Sequence, residues 1–148
     1  LKDSDYQVVL SVGSQVDIKQ LEEYVTKSKS ENKAQFHVLP YVDQIAVLEK
    51  ADAFLTHCGM NSVSEALYFK VPLVMYPQTN EQKGVAFRVN ELEAGLYLNG
   101  DSVTEIQIAL KELLQQSKYK EQATVISNSF SKCGGSEAAV EKILDICS

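Results

Sequence analysis

The sequence predicts an α/β fold with a doubly wound parallel sheet. Apolar runs of strand length alternate with amphipathic segments of helix length along the whole chain. The strand runs are continuously apolar, which is typical of parallel strands that helices cover on both faces. Because no linker, repeat or low-complexity tract interrupts this pattern, we expect one domain over residues 1–148.

The first half of the chain contains three predicted strands, at residues 6–12, 34–39 and 53–56. The first strand ends at Gly13 and the second at Pro40, both residue types that interrupt regular structure. An amphipathic helix over residues 17–29 separates these two strands. Asp43 is expected to cap a short helix after the second strand. The third strand leads into a helix within LTHCGMNSVSEAL, residues 55–67.

The second half contains two more predicted strands, at residues 71–77 and 95–98. Four amphipathic helices are predicted there, at about residues 81–94, 104–116, 119–130 and 137–146. Gly95 directly follows the first of these helices, where a C-cap glycine is expected.

The composition argues against several classes of protein. A net charge of −6 without a stripe of Lys and Arg indicates no nucleic-acid partner. No apolar run reaches the roughly 18 residues of a transmembrane segment, and no signal peptide is visible. Three scattered cysteines without a CxxC pair predict no metal site and favour a cytoplasmic location. Leu1 and the polar opening LKDSD suggest a fragment of a longer protein.

Ligands of open parallel sheets bind beside the carboxyl ends of the strands. After the first strand, Gly13 permits close backbone approach and Ser14 can donate to an oxyanion, although GxGxxG is absent. The alternative is that Gly13 only turns the chain.

After the second strand, Tyr41 could stack on a flat ring and the backbone of Val42 could hydrogen-bond a base edge. The alternative is that Tyr41 fills an edge of the core.

The turn after the third strand is a candidate phosphate site, because amides and the helix dipole at a helix N-terminus attract anions. Gly59 permits close approach, and His57 can donate a ring N–H. Asn61 and Ser62 add further donors. Ser62 and Glu65 also match the capping-box pattern S-x-x-E, so helix capping is the alternative.

The loop 76-YPQTNEQ-82 after the fourth strand suits a polyhydroxylated ligand such as a sugar, and equally an ordinary capped helix start. One ligand with a base, a ribose, a diphosphate and a sugar could contact all four places on the rim of one sheet. A catalytic pair of Cys58 and His57 is unfavourable, because neighbouring residues at a strand end face opposite sides.

Residues 41–82, YVDQIAVLEKADAFLTHCGMNSVSEALYFKVPLVMYPQTNEQ, resemble the nucleotide-sugar signature of the GT-B UDP-glycosyltransferases, particularly the bacterial macrolide-glycosyltransferase-like group. Weaker similarity extends over almost the whole chain. The resemblance implies a Rossmann-like C-terminal domain that binds the donor of an inverting hexosyltransferase. The donor would be a UDP- or dTDP-sugar, and the acceptor a hydroxyl of a small molecule. No metal or other cofactor is expected.

The resemblance also implies roles for individual residues. The diphosphate would contact His57, Gly59, Asn61, Ser62, Gly13 and Ser14. The nucleoside would contact Tyr41, Val42, Gln44 and Glu65, with Glu65 on the ribose hydroxyls. The donor sugar would contact Glu81 and Gln82. The chain departs from the family pattern at Tyr41, where many members have tryptophan, and at Asp43, where proline is usual.

In that family, the N-terminal domain binds the acceptor and supplies a histidine base. Neither His37 nor His57 is placed for that role, so no catalytic residue is expected in this chain. Two alternatives remain open. One is a stand-alone donor-binding subunit of a two-component transferase that acts on a lipid-linked or polysaccharide acceptor. The other is a non-catalytic nucleotide-binding α/β module.

Overall fold

The computed structural model describes residues 6–14, 16–28 and 35–147, in which every strand pair is parallel. This confirms the predicted α/β class. The chain divides into two compact units, Leu1–Val47 and Leu48–Ser148, here called the first and second units. That residues 1–148 form one domain stays a prediction. Among the described helices, none is both long and apolar enough to cross a membrane.

The described residues form strands β1–β5 and helices α1–α7. The strands are β1 (Gln7–Ser11), β2 (Gln35–Leu39), β3 (Phe54–Thr56), β4 (Leu73–Met75) and β5 (Gly95–Tyr97). The helices are α1 (Ile18–Ser28), α2 (Gln44–Leu48), α3 (Met60–Tyr68), α4 (Asn80–Glu91), α5 (Val103–Gln115), α6 (Ser117–Phe130) and α7 (Gly135–Cys147). The predicted elements agree with these bounds to within three residues. The predicted ends at residues 29 and 34 lie outside the described residues.

The described residues of the first unit form a parallel pair of strands, β1 and β2, whose carboxyl ends meet at the same edge. Ser11 at the end of β1 is opposite Leu39 at the end of β2. Beyond the ladder, Gly13 N–H donates a hydrogen bond to Pro40 O at 3.1 Å. Consequently the two loops that follow these strands leave the sheet side by side.

The second unit is built around β4, which pairs in parallel with β3 on one side and β5 on the other. Leu73 and Met75 belong to a core cluster with residues of α3, α4 and α6. Val74 belongs to a second cluster with residues of α5 and α6. Because side chains alternate across a strand, a buried β4 needs a helical layer on each face. Burial of each of these three side chains contributes about 1.5–3 kcal/mol.

Gly95 is not the C-cap of α4, so that prediction is wrong. The helix ends at Glu91 with Leu92 as its C-cap, and Glu93 has the left-handed conformation (φ 54°). Gly95 instead begins β5, where an added Cβ atom would lie 2.5 Å from the carbonyl oxygen of Leu73. The glycine is therefore required by the close approach of β4 and β5.

The substitution Gly95→Ala is expected to lower the free energy of unfolding by about 2 kcal/mol or more, because the added methyl group collides with the backbone of β4. Urea denaturation measures this change. Gly84→Ala is the matched control, since Gly84 is exposed in α4 and no described atom lies within 4 Å of an added Cβ. The free energy of unfolding of the G84A control should rise by up to about 1 kcal/mol. Unchanged stability of G95A would contradict the account of this strand contact.

Candidate functional site

Two polar segments of the second unit lie at the same edge of the sheet, because β3 and β4 are parallel neighbours. Thr56 at the end of β3 pairs with Met75 at the end of β4. One step further on, Tyr76 N–H donates a hydrogen bond to Thr56 O at 2.9 Å. The turn 57–59 and the loop 76–80 therefore begin side by side. These segments lead to the residues predicted to bind a diphosphate and a sugar.

The turn after β3 directs two consecutive side chains to opposite sides. His57 is exposed, whereas Cys58 is fully buried in the core. Burial raises the pKa of the Cys58 thiol to about 11. A neutral and inaccessible thiol is a poor nucleophile, which agrees with the exclusion of a Cys58–His57 pair.

The imidazole ring of His57 lies beside the start of α3. A Cβ atom on Gly59 would be 3.3 Å from His57 Nε2, so the absence of a side chain leaves space for the ring. Gly59 is the N-cap of α3 (φ −60°, ψ 135°), and among the described residues no side chain caps this helix. Asn61 is exposed in the first turn. The helix start thus presents backbone and an imidazole ring in place of a capping side chain.

The predicted capping box of Ser62 and Glu65 is wrong, because α3 begins earlier than that pattern requires. The helix starts at Met60, so Ser62 is its third residue and not its N-cap. By contrast, α4 and α5 have the side-chain caps Thr79 and Ser102. Helix α6 also starts without a side-chain cap, but it follows α5 and not a strand. Both Ser62 and Glu65 are half-buried on α3.

The loop between β4 and α4 contains a true capping box. Thr79 Oγ1 accepts from Gln82 N–H at 3.3 Å, and Gln82 Oε1 accepts from Thr79 N–H at 3.1 Å. Gln82 Oε1 also accepts from Gln78 N–H at 2.8 Å. The helix-start interpretation is therefore confirmed for the oxygen of Gln82, while its amide nitrogen takes no part in these bonds. Glu81 is exposed beside it. The sugar-binding role of both residues stays a prediction.

Gly13 in the first unit has φ 73°, a conformation that favours glycine. Its N–H group is engaged by Pro40 O, so this residue does turn the chain, as the alternative interpretation proposed. Ser14 is exposed in the same turn. Diphosphate binding by Gly13 and Ser14 stays a prediction.

Tyr41 is 81% exposed, so the alternative that it fills an edge of the core is wrong. Together with Val42 and Asp43, it lines an open cleft of about 690 Å³ within the first unit. Asp43 Oδ1 accepts from Ala46 N–H at 3.1 Å, which confirms Asp43 as the cap of α2. Gln44 is the half-buried first residue of that helix. An exposed phenol ring is accessible to a flat base, but the nucleoside role of these residues stays a prediction.

Two residues that organise the site, Thr79 and Thr56, were not identified from the sequence. Thr79 was identifiable as an N-cap, because the pattern T-x-x-Q matches a capping box as well as S-x-x-E does. Thr56, whose hydroxyl accepts from Cys58 N–H at 3.1 Å, had no comparable local signal. Within residues 6–14, 16–28 and 35–147, no three His, Cys, Asp or Glu side chains are grouped so that they could hold a metal ion.

Known proteins resemble this chain over most of its length. Residues 14–132 match the family described as UDP-glucoronosyl and UDP-glucosyl transferase. The chain is 38% identical to the uncharacterized UDP-glucosyltransferase YdhE of Bacillus subtilis, over 93% of this chain and 33% of YdhE. It is 37% identical to the NDP-glycosyltransferase YjiC of Bacillus subtilis, over 96% of this chain and 35% of YjiC.

The fold also matches a solved glycosyltransferase structure. The glycotransferase of kitacinnamycin is 29% identical and superposes with a TM-score of 0.80, over 93% of this chain and 34% of that protein. The chain therefore spans about a third of the length of the relatives it matches.

Proposed function

The chain belongs to the UDP-glucoronosyl and UDP-glucosyl transferase family, and we propose that it is the donor-binding part of an inverting glycosyltransferase. The donor is a UDP-sugar, the transferred group is a hexose, and the acceptor is a hydroxyl of a small molecule. The family match supports this donor class. A dTDP-sugar is the alternative donor, because Tyr41 stands where a tryptophan would stack on uracil.

The strongest support for donor binding is the start of α3, where Gly59 is the N-cap and the ring of His57 lies beside it. The first amides of an α-helix have no acceptor within the helix, and the helix dipole adds partial positive charge there. A diphosphate would accept hydrogen bonds from these amides, and His57 would donate to a phosphate oxygen. Asn61 and Ser62 on the first turn would add side-chain donors.

The same arrangement gives the helix start a role in the reaction. As the bond between the anomeric carbon and the diphosphate breaks, negative charge grows on the departing UDP. Donors that are already oriented at the start of α3 stabilise this charge most strongly in the transition state. The acceptor oxygen attacks the opposite face of the anomeric carbon, which inverts its configuration.

The remaining roles follow from the segments beside this turn and from the first unit. The Glu81 carboxylate and the Gln82 amide nitrogen would bind the hydroxyls of the donor sugar. Glu65 would bind the ribose hydroxyls. In the first unit, Tyr41 would stack on the base, and the other proposed contacts there are Val42, Gln44, Gly13 and Ser14.

The part of the relatives that this chain does not match is about twice as long as the part that it does, since the chain covers 33–35% of them. We expect the acceptor-binding domain, and the base that takes the acceptor proton, to belong to that part of a full-length protein. The 148-residue chain is then expected to bind the donor without completing the transfer.

The substitution His57→Ala is expected to raise the Kd for UDP about tenfold or more, since a charge-assisted hydrogen bond to phosphate is lost. Isothermal titration calorimetry with the 148-residue chain measures this effect. His57→Gln keeps an N–H donor and should retain part of the affinity. Urea denaturation checks that all three proteins are equally stable. An unchanged Kd for H57A would remove His57 from the site.

Titration with UDP and UDP-glucose tests whether the loop at residues 76–82 binds the sugar. It thereby discriminates a transferase from a plain nucleotide-binding module. UDP-glucose should bind several-fold more tightly than UDP, because the sugar makes additional contacts. Glu81→Gln should reduce the affinity for UDP-glucose about tenfold and leave the affinity for UDP unchanged. Glu91→Gln makes the same charge change on an exposed residue of α4 and is the control. Equal affinities of E81Q and the unaltered chain for UDP-glucose would favour the nucleotide-binding module.

A further inference from the structure

The turn after β3 depends on a backbone conformation that is uncommon for a residue with a side chain. Among the described residues, those with positive φ other than glycine are Cys58 (70°), Lys70 (63°) and Glu93 (54°). Lys70 and Glu93 directly follow the C-caps of α3 and α4, where a left-handed residue is ordinary. Cys58 precedes a helix, so a helix end does not account for its conformation.

The side chain of Thr56 contacts the backbone of Cys58. Thr56 Oγ1 accepts a hydrogen bond from Cys58 N–H at 3.1 Å, and the threonine is only 7% exposed. Its carbonyl oxygen accepts from Tyr76 N–H at 2.9 Å and from Cys58 Sγ at 3.8 Å. Thr56 is therefore fixed to the end of the sheet. Without the hydroxyl, a buried amide would lose its acceptor, and the chain would favour another φ at Cys58.

The backbone conformation of Cys58 determines the positions of its two neighbours, His57 and Gly59. With Cys58 directed into the core, His57 faces solvent and Gly59 is the N-cap of α3. The ring of His57 then lies 3.3 Å from the Cβ position of Gly59. A different φ at Cys58 would move the ring and the helix start relative to one another.

We propose that Thr56 is a positioning residue for the diphosphate, acting through the backbone of Cys58 on His57 and Gly59. This inference rests on the proposed function. Thr56 does not itself contact the ligand, and the hydroxyl group is the part of its side chain that matters.

Calorimetric titration of the 148-residue chain with UDP tests the role of the hydroxyl. Thr56→Val preserves the shape of the side chain but removes the acceptor, and it should raise the Kd about tenfold. Thr56→Ser keeps the hydroxyl and should restore the Kd to within about twofold. Thr124→Val is the control, because it removes a hydroxyl that donates to Lys120 O at 2.8 Å in α6. It should leave the Kd unchanged.

Substitution of Cys58 separates positioning from general stability. Glycine adopts positive φ without strain, so Thr56→Val in a Cys58→Gly background should change the Kd less than about twofold. Cys58→Ala removes the same thiol but keeps Cβ, so the tenfold effect should persist in that background.

If the unaltered chain binds UDP, three results would overturn the positioning role of Thr56 and leave the proposed function in place. They are an unchanged Kd for T56V, the same loss of affinity in both backgrounds, and failure of T56V to fold in both backgrounds. If the unaltered chain does not bind UDP, the proposed function and the positioning role both fail.

Discussion

The parallel pairing of β3 with β4 is the constraint on which the candidate site depends. It places Thr56 opposite Met75, so the turn that carries His57 and the loop that leads to Glu81 start at the same edge of the sheet. The pairing is stable because β4 is buried on both faces between two apolar clusters. A rigid sheet therefore supplies the geometry, and the polar residues lie on the segments that leave it.

The helices of the second unit differ in whether a side chain caps their first amides, and this difference indicates which helix start is open to a ligand. Helices α4 and α5 use Thr79 and Ser102, which stabilise a helix start and close it to other partners. Helix α3 has Gly59 as its N-cap, which provides no side-chain acceptor for the first amides. Local departures from the most stable choice are expected where a surface must remain open to a ligand.

Much of the fold could be predicted from the sequence, because continuous apolar strands and amphipathic helices are local patterns. The cap at Asp43 and the opposite orientations of His57 and Cys58 were predictable for the same reason. Gly95 was misinterpreted, because its requirement comes from the backbone of Leu73 on a neighbouring strand. The capping box at Ser62 failed because the pattern S-x-x-E fits equally well inside a helix. The left-handed conformation of Cys58 depends on Thr56, and residue types alone do not reveal it.

The proposed diphosphate site lies at the start of α3. Titration of the ¹⁵N-labelled chain with UDP locates the binding site through the amide chemical shifts that change. We expect the largest changes at the amides of Gly59, Met60 and Asn61, with the ring of His57 shifting at the same UDP concentration. Changes concentrated on the groove between β5 and α5, around Leu96 and Ile108, with none at the start of α3, would contradict the proposed site.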